Sequence, residues 1–330
     1  MMTVFIVIVA LLQAFLVHSD DSWHDSYHNL DQIVAKLKEI NSSSENTELF
    51  SLGTSTEGRQ MYAIKISGKK SENKPVMYIQ CLSHGNEWIT GTQCMYFADK
   101  LSSLYGSDSK VTKTLDKMDI VILPVMNVDG YVYTRTYSYM RNWPKSRRRV
   151  TYIGSKICYG VDLNRNFGYQ WGFVKNQFDP TIERCHNTFR GFGAFSEVET
   201  RNVRNYLNRV GKNLKGFLDF HGHGRQAFQM PWKYDYGSNP DKAEQKRAAT
   251  EAVRAIYKVG YRQSYYSCCE AVYTGRHGGS SVDWVYGRLK VKYTYEVSVS
   301  ARSGYALSGV AQGLLAGINA LVNTMQLSTI

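Results

Sequence analysis

The chain has 330 residues, of which 43% are hydrophobic and 21% are charged, with only six prolines. This composition is typical of a folded globular protein and excludes a disordered or collagen-like chain. Forty Lys and Arg residues against 28 Asp and Glu residues give a formal net charge of +12, which favours acidic substrates, glycans or membrane surfaces. No Pro-, Ser- or Gly-rich linker divides the chain, so we expect one domain.

The N-terminal segment is typical of a cleaved secretion signal. Residues Thr3 to Val17 are almost all apolar and carry no charge, and the small residues that follow predict cleavage after Ser19. A membrane anchor is the alternative, but about fifteen apolar residues at about 1.5 Å each are too short for a bilayer core of about 30 Å. We therefore expect a signal peptide over residues 1–19, one mature domain over residues 20–330, and a secreted, extracellular protein without stable membrane insertion.

The first predicted elements of the mature chain are a helix and a pair of strands. Apolar residues recur at helical spacing from Leu30 to Ile40, which predicts an amphipathic helix with one buried stripe. Two short apolar runs, Leu49 to Leu52 and Met61 to Ile66, flank a turn-rich link. This arrangement predicts an antiparallel pair of strands.

Four later β-rich runs are separated by helical stretches, a pattern typical of a largely parallel, buried sheet. These runs are Val76 to Leu82, Ile120 to Val125, Phe217 to Phe220 and Val291 to Val297. We predict helices after a capping box at Ser196 to Glu199, over Ala243 to Val259 and over Tyr305 to Gln326. The expected fold class is therefore single-domain α/β, with a mixed, largely parallel central sheet flanked by helices.

Polar residues that directly follow the buried runs indicate a metal site. His84 and Glu87 follow the run that ends at Leu82, and His221 directly follows Phe220. In open α/β sheets, ligands bind beyond the carboxyl ends of the strands. Two imidazoles and one carboxylate form a three-ligand zinc set that keeps one position open for water. A surface polar pair is the alternative explanation for a lone His-x-x-Glu.

A carboxylate in a strand-like run is the candidate base for such a water. Glu296 lies between Tyr295 and Val297, and a buried Glu is costly unless it has a partner. An edge-strand charge that faces solvent is the alternative. The irregular stretch from about Asn127 to Phe195 is long for a connection in a compact domain, so we expect the chemistry to lie near it.

Six stretches together resemble the zinc metallocarboxypeptidases of the carboxypeptidase A/B type. They are His84-Gly85-Asn86-Glu87-Trp88, Asn127-Val128-Asp129-Gly130, Gly160 to Asn166, Phe217 to His221, Gly279 to Trp284 and Lys292 to Glu296. The resemblance covers nearly the whole mature chain and implies the metallocarboxypeptidase fold, with hydrolysis of the C-terminal bond of peptides and proteins. It also implies one zinc ion per chain, bound by His84, Glu87 and His221.

The resemblance implies roles for three further residues. Glu296 would be the general base toward water and then the proton donor to the leaving amine. Asn164 and Arg165 would clamp the free C-terminal carboxylate, because a guanidinium binds that planar anion bidentately. An ordinary loop pair is the alternative for these two residues.

Two residues resemble parts of the family's substrate pocket. Tyr273 matches a mobile tyrosine that covers the substrate, with two more residues than usual between it and Asp283. Val282 occupies the position that sets the C-terminal preference, and valine there implies aliphatic or aromatic C-terminal residues. Arg276 facing the pocket, which would attract an acidic terminus, is the alternative.

The largest departure from the family pattern is Pro144, which stands where the family has an arginine that stabilises the developing oxyanion. Losing one such donor typically costs about 100- to 1,000-fold in rate, unless Arg141, Lys145 or Arg147 replaces it. The alternative function is therefore a zinc-retaining, catalytically weakened peptide-binding homologue. A basic glycan- or nucleic-acid-binding protein is a more distant alternative, because the chain has no apparent recognition module.

The resemblance implies a disulfide between Cys158 and Cys185. The pairing of the other four cysteines stays open among three possibilities. These four are Cys81, Cys94, Cys268 and Cys269. Because the domain pattern begins within about ten residues of Ser19, we expect no activation propeptide. We further expect a monomer that acts on peptide or protein C-termini and binds no nucleic acid.

Overall fold

The computed structural model describes residues 22–69, 73–153, 156–173, 179–222, 227–235, 237, 239–260, 266–267, 276–300 and 306–327. The helices are α1 (Leu30–Ser43), α2 (Trp88–Ser103), α3 (Ser109–Lys117), α4 (Val128–Thr136), α5 (Val198–Val210), α6 (Lys242–Lys258), α7 (Ser281–Leu289) and α8 (Leu307–Thr324). The strands are β1 (Thr47–Thr54), β2 (Gln60–Ile66), β3 (Val76–Gln80), β4 (Asp119–Leu123), β5 (Arg149–Ile153), β6 (Lys156–Tyr159), β7 (Leu214–His221), β8 (Ala227–Gln229), β9 (Tyr266–Ser267) and β10 (Tyr293–Ser298). The predicted signal peptide, Tyr273, Cys268 and Cys269 lie outside the described residues.

Eight of the described strands form one mixed sheet in the order β1-β2-β4-β3-β7-β10-β8-β9. The central strands β4, β3, β7 and β10 run parallel to their neighbours in that set. Antiparallel pairs join β1 to β2, β2 to β4 and β8 to β10. The sequence prediction of a mixed, largely parallel α/β sheet is confirmed, and its apolar runs form strands that are almost completely buried.

The first helix and its strand pair follow the sequence closely. A capping box starts α1, since the side chain of Asn29 accepts from the Gln32 N–H and the side chain of Gln32 accepts from the Asn29 N–H, both at 2.9 Å. The predicted apolar stripe, Ile33, Leu37 and Ile40, is buried. Among the described helices, none is long and apolar enough to cross a membrane.

Two expectations about local structure are wrong. The predicted capping box at Ser196 to Glu199 does not form, because Glu199 accepts a hydrogen bond from the backbone N–H of Thr56 at 2.9 Å instead of turning back to its own helix. The stretch from Asn127 to Phe195 is only partly irregular. It contains α4 and a two-stranded hairpin of β5 and β6.

Two disulfides form among the described cysteines. The Cys158–Cys185 bond implied by the family resemblance is confirmed. Cys81 pairs with Cys94, 13 residues later, which ties the segment after β3 to α2. This second bond settles the partner of Cys81 among the alternatives that the sequence left open.

The segment before α7 depends on a glycine. Gly279 has a φ of +77°, and a Cβ at this position would lie 2.2 Å from the carbonyl oxygen of Arg165. Its N–H donates to the carbonyl of Tyr169 at 3.0 Å, and its carbonyl accepts from the N–H of Phe167 at 2.9 Å. This close approach fixes the start of α7 against the turn that carries Arg165.

Replacing Gly279 with alanine should therefore destabilise the fold. A side chain at positive φ costs about 1–3 kcal/mol, and the clash with Arg165 adds to this cost. Urea unfolding of Gly279→Ala should show a clearly lower midpoint than wild type. The matched control is Gly193→Ala, whose Cβ would meet no atom within 4 Å. Equal midpoints for the two variants would contradict the assigned constraint.

Candidate active site

Three side chains that can bind a metal meet at the carboxyl ends of two neighbouring parallel strands. His84 and Glu87 lie in the loop after β3, and His221 is the last residue of β7. One ligand atom from each residue lies within 4.8 Å of the other two, and all three residues are buried. The structure thus brings together the three residues predicted to bind a metal. Because His84 and Glu87 are buried, the alternative of a polar pair on the surface is excluded.

The donor atoms fit a zinc ion. Nδ1 of His84 lies 3.0 Å from Glu87 Oε1, and Nδ1 of His221 lies 3.1 Å from Glu87 Oε2. Nε2 of His84 lies 2.9 Å from Asp162, and Nε2 of His221 lies 3.3 Å from Asp219. Metal-binding histidines typically give their second nitrogen to a carboxylate in this way, which orients the ring. Two imidazoles and one carboxylate are also the donors that catalytic zinc prefers.

The buried carboxylates set the charge of these imidazoles. Burial alone would lower the pKa of His84, but Asp162 and Glu87 outweigh it and raise that pKa to about 9. The pKa of His221 is also raised, because Asp219 and Glu87 outweigh burial. Burial would raise the pKa of Asp162, but His84 lowers it below its usual range. A metal that binds here must therefore displace protons from both rings.

The loop that carries His84 is held in an unusual turn. Leu82 has a φ of +54°, in the left-handed region that leucine rarely adopts. Its N–H donates to Thr90 Oγ1 at 3.0 Å, and its carbonyl accepts from the N–H of Asn127 at 2.9 Å. Such backbone strain persists only where the surroundings enforce it. Here it turns the chain after β3 so that His84 points toward β7.

Glu296 lies on β10, directly beside the strand that ends in His221. The parallel register pairs Glu296 with Asp219, and Glu296 Oε2 lies 4.0 Å from His221 Nε2. Its strand is flanked by β7 and β8, and only 3% of the residue is exposed. The alternative of a solvent-facing edge charge is therefore wrong.

Lys233, which was not predicted as a site residue, reaches Glu296 from the loop after β8. Its Nζ donates to Glu296 Oε1 at 2.8 Å and to Gln229 Oε1 at 2.7 Å, and the residue is fully buried. A lysine that follows the apolar residues Met230, Pro231 and Trp232 could have been noticed, because buried lysines need partners. No local pattern, however, identifies a carboxylate 63 residues away as that partner.

Asn164 and Arg165 lie in a single 3₁₀ turn beside the metal-binding residues. Asn164 Nδ2 lies 3.1 Å from His221 Nε2, and Asn164 Oδ1 accepts from the N–H of Ser281 at 2.9 Å. Arg165 Nη1 donates to the carbonyl of Asn164 at 3.1 Å, while its buried Nε has no hydrogen-bond partner among the described residues. A buried guanidinium donor without an acceptor is able to bind an anion.

Val282 lies in the first turn of α7 and is completely buried. The next residue, Asp283, accepts at 2.9 Å from the backbone N–H of Lys233, and burial raises its pKa to about 7. The guanidinium of Arg276 lies 5.5 Å from the centre of the Phe173 ring. The Lys233 loop and the start of α7 are therefore packed directly together.

Pro144 lies next to the metal-binding loop through its backbone. Its carbonyl accepts from the N–H of Gly85 and from Nδ2 of Asn127, each at 3.0 Å. The neighbouring Lys145 is buried, which lowers its pKa to about 8, and its Nζ donates to the carbonyl of Arg184 at 3.5 Å. Pro144 carries no charge, and the ammonium of Lys145 is not among the contacts of Glu296 described above.

The two arginines near Pro144 also have other partners. Arg141 donates to the carbonyl of Asn86 and lies 3.8 Å from the centre of the Trp88 ring. The guanidinium of Arg147 lies 3.6 Å from the centre of the Tyr133 ring. Such cation–π contacts stabilise these positions. Arg141 therefore contacts Asn86, which lies between His84 and Glu87 in the sequence.

Zinc affinity should rise with pH up to about 9, because His84 must lose the proton that its raised pKa retains. Between about pH 6.5 and 9, each unit should raise the affinity at least about tenfold. Asp162→Asn should lower the affinity about 10- to 100-fold at the upper end and reduce the slope, since this carboxylate raises the His84 pKa. Competition with a chromophoric chelator measures the zinc affinity and its dependence on pH. The control is Asp116→Asn, which alters a carboxylate that accepts a hydrogen bond from Tyr105. An unchanged affinity in Asp162→Asn would contradict this assignment.

Comparisons with known proteins agree with this geometry. A family model described as zinc carboxypeptidase matches residues 33–313. Carboxypeptidase B of Homo sapiens is 32% identical over 289 residues, which cover 86% of this chain and 66% of that protein. Carboxypeptidase A1 of Bos taurus is 34% identical over 289 residues, covering 86% and 65%.

Solved structures show the same likeness. The crystal structure of the carboxypeptidase A from Helicoverpa armigera is similar with a TM-score of 0.79 at 26% identity, covering 91% of this chain and 74% of that chain. The chain spans about two thirds of the length of the curated relatives named above. By its sequence and its fold, the chain belongs to the zinc carboxypeptidase family.

Proposed function

We propose that this protein is a secreted metallocarboxypeptidase that binds one zinc ion and hydrolyses the C-terminal peptide bond of peptides or proteins. The observation that carries the proposal is the buried set of His84, Glu87 and His221 with Glu296 on the adjacent strand. Secretion is supported by the two disulfides, which are typical of oxidising compartments, and by the apolar N-terminal segment. Action as a monomer stays a prediction.

Glu296 is the proton carrier in this proposal. A zinc ion held by His84, Glu87 and His221 would supply a Lewis acid that makes water nucleophilic near neutral pH. Oε1 of Glu296 is held by Lys233, while Oε2 lies on the His221 side. Oε2 accepts a proton from the attacking water and then donates it to the nitrogen of the leaving residue.

Asn164 and Arg165 restrict the reaction to chain ends. The buried Nε of Arg165, together with its terminal nitrogens, forms a fork that binds the planar α-carboxylate of a substrate. Asn164 contacts both Arg165 and His221, and His221 lies 4.0 Å from Glu296, so we expect the last peptide bond of a bound substrate to lie near Glu296. A cover formed by Tyr273 and an apolar preference set by Val282 stay predictions from the sequence.

A second candidate function is a zinc-retaining peptide-binding homologue with weakened catalysis. Pro144 has no donor for a developing oxyanion, and Arg141, Arg147 and Lys145 have other partners. A site of this kind keeps its carboxylate clamp and its metal but loses much of its electrostatic stabilisation of the transition state. Binding would then be retained while turnover is slow.

The first test is Glu296→Gln, which keeps the shape of the side chain and removes its proton acceptor. Hydrolysis of a blocked dipeptide should fall at least about 100-fold, while zinc content by elemental analysis should stay equal to wild type. The control is His84→Ala, which should lose both zinc and hydrolysis. Wild-type turnover in Glu296→Gln would reject the assigned base.

The second test is Pro144→Arg, which adds a cation at the position where the family has an arginine and this chain has a proline. The value of kcat should rise by up to about 100-fold with a smaller change in KM, because the new donor acts on charge that develops in the transition state. Pro144→Ala is the matched control, since it removes the ring without adding charge. Equal kcat values in all three proteins would show that arginine at position 144 has no role in turnover.

A further inference from the structure

Lys233 places a buried ammonium beside the proposed base, and neither the zinc set nor the carboxylate clamp accounts for it. Two of its three Nζ–H groups donate to Glu296 Oε1 and Gln229 Oε1. Gln229 is itself fixed, because its amide donates to Ser298 Oγ at 2.8 Å. The third Nζ–H has no acceptor among the residues that the structure describes.

Lys233 approaches Glu296 from the side of the carboxylate clamp. Its backbone N–H donates to the carboxylate of Asp283 in the first turn of α7. Two residues earlier, the N–H of Ser281 donates to Asn164 Oδ1 at 2.9 Å. The start of α7 thus joins the Lys233 loop to the clamp. A terminal residue held by Arg165, with its peptide bond at Glu296, would then have its side chain next to Lys233 Nζ.

We infer that Lys233 is a specificity-determining residue that selects substrates with a C-terminal aspartate or glutamate. This inference rests on the proposed function. The third Nζ–H of Lys233 donates to the side-chain carboxylate of the substrate, while the other two keep their bonds to Glu296 and Gln229. The carboxylate of Asp283 accepts from the backbone N–H groups of Lys233 and Tyr234, whereas Nζ donates to Glu296 and Gln229.

The energetics favour an acidic side chain over the alternatives. A buried ammonium with an unused donor is costly, and a charge-assisted hydrogen bond removes that cost. A C-terminal Lys or Arg would bring a second cation against Lys233, and an apolar residue would bury the donor without a partner. Nζ lies 2.8 Å from Glu296 Oε1, in the carboxylate that the scissile bond must approach.

This preference differs from the apolar terminus that Val282 predicts, and it shares the acidic terminus of the alternative but has a different residue as its cause. Val282 predicts an apolar terminus, but the cation of Lys233 contacts the proposed base Glu296 directly. An acidic terminus was the alternative attached to Arg276, whose guanidinium lies over the ring of Phe173. The structure assigns that attraction to Lys233 instead.

The experiment compares blocked dipeptides that differ only in a C-terminal Glu, Gln, Phe or Lys. For the zinc-loaded wild type, kcat/KM should be at least about tenfold higher for Glu than for Gln, the isosteric neutral residue. Lys233→Met should bring that ratio close to one, and Lys233→Arg should retain a preference for Glu. Thermal unfolding and zinc content of each variant establish that it is folded and loaded.

The control is Lys74→Met, which removes another buried lysine paired with a carboxylate, Asp119, at the start of β4. Its ratio of Glu to Gln should equal that of wild type. A wild-type preference for Phe or Lys would overturn the inference. So would an equal loss for all four substrates in Lys233→Met, because that result would show that Lys233 only positions Glu296.

Calorimetry separates this inference from the proposed function. Peptides in which a ketomethylene group replaces the scissile amide cannot be hydrolysed, so their dissociation constants report binding alone. If no substrate is hydrolysed but the Glu analogue binds at least about tenfold more tightly than the Gln analogue, the proposed hydrolysis fails and the role of Lys233 stands. Equal binding of the two analogues would overturn the role of Lys233.

Discussion

The site depends on the contacts of the Glu87 carboxylate, whose two oxygens face Nδ1 of His84 and Nδ1 of His221. It joins two neighbouring strands of the sheet through their carboxyl ends. Around it, buried carboxylates and cations occur in pairs, since an unpaired buried charge would be strongly destabilising. Asp162 meets His84, and Lys233 meets Glu296. The site is thus a network of paired charges in which each member limits the position of the next.

The register of the parallel strands explains why these groups meet. Gln80, the last residue of β3, pairs with Asp219 on β7, and Asp219 pairs with Glu296 on β10. Residues after β3 and at the end of β7 therefore reach the same edge of the sheet as Glu296. The start of α7 adds a second constraint, because Ser281 bonds Asn164 while Asp283 bonds the Lys233 loop.

Much of this arrangement could be predicted from the sequence, because it depends on local patterns. Continuous apolar runs predicted the central strands, and polar residues after those runs predicted the metal-binding set. Interactions between distant segments could not be predicted in this way. Glu199 has the spacing of a capping residue but bonds Thr56, and Lys233 has a partner that only the packing of β10 against β8 brings near. The partner of Cys81 was likewise undetermined by spacing alone.

The Cys81–Cys94 bond makes the metal-binding loop a covalent ring, because both His84 and Glu87 lie between the two cysteines. A single backbone cut inside this ring would not release either side chain from the molecule. When the rest of the chain unfolds, these two ligands stay within a ring whose closing cysteines are 13 positions apart, so part of the entropy of assembling the site has already been lost. The third ligand, His221, has no such tether within the ring, so its return to the site requires β7 to pair again with β3.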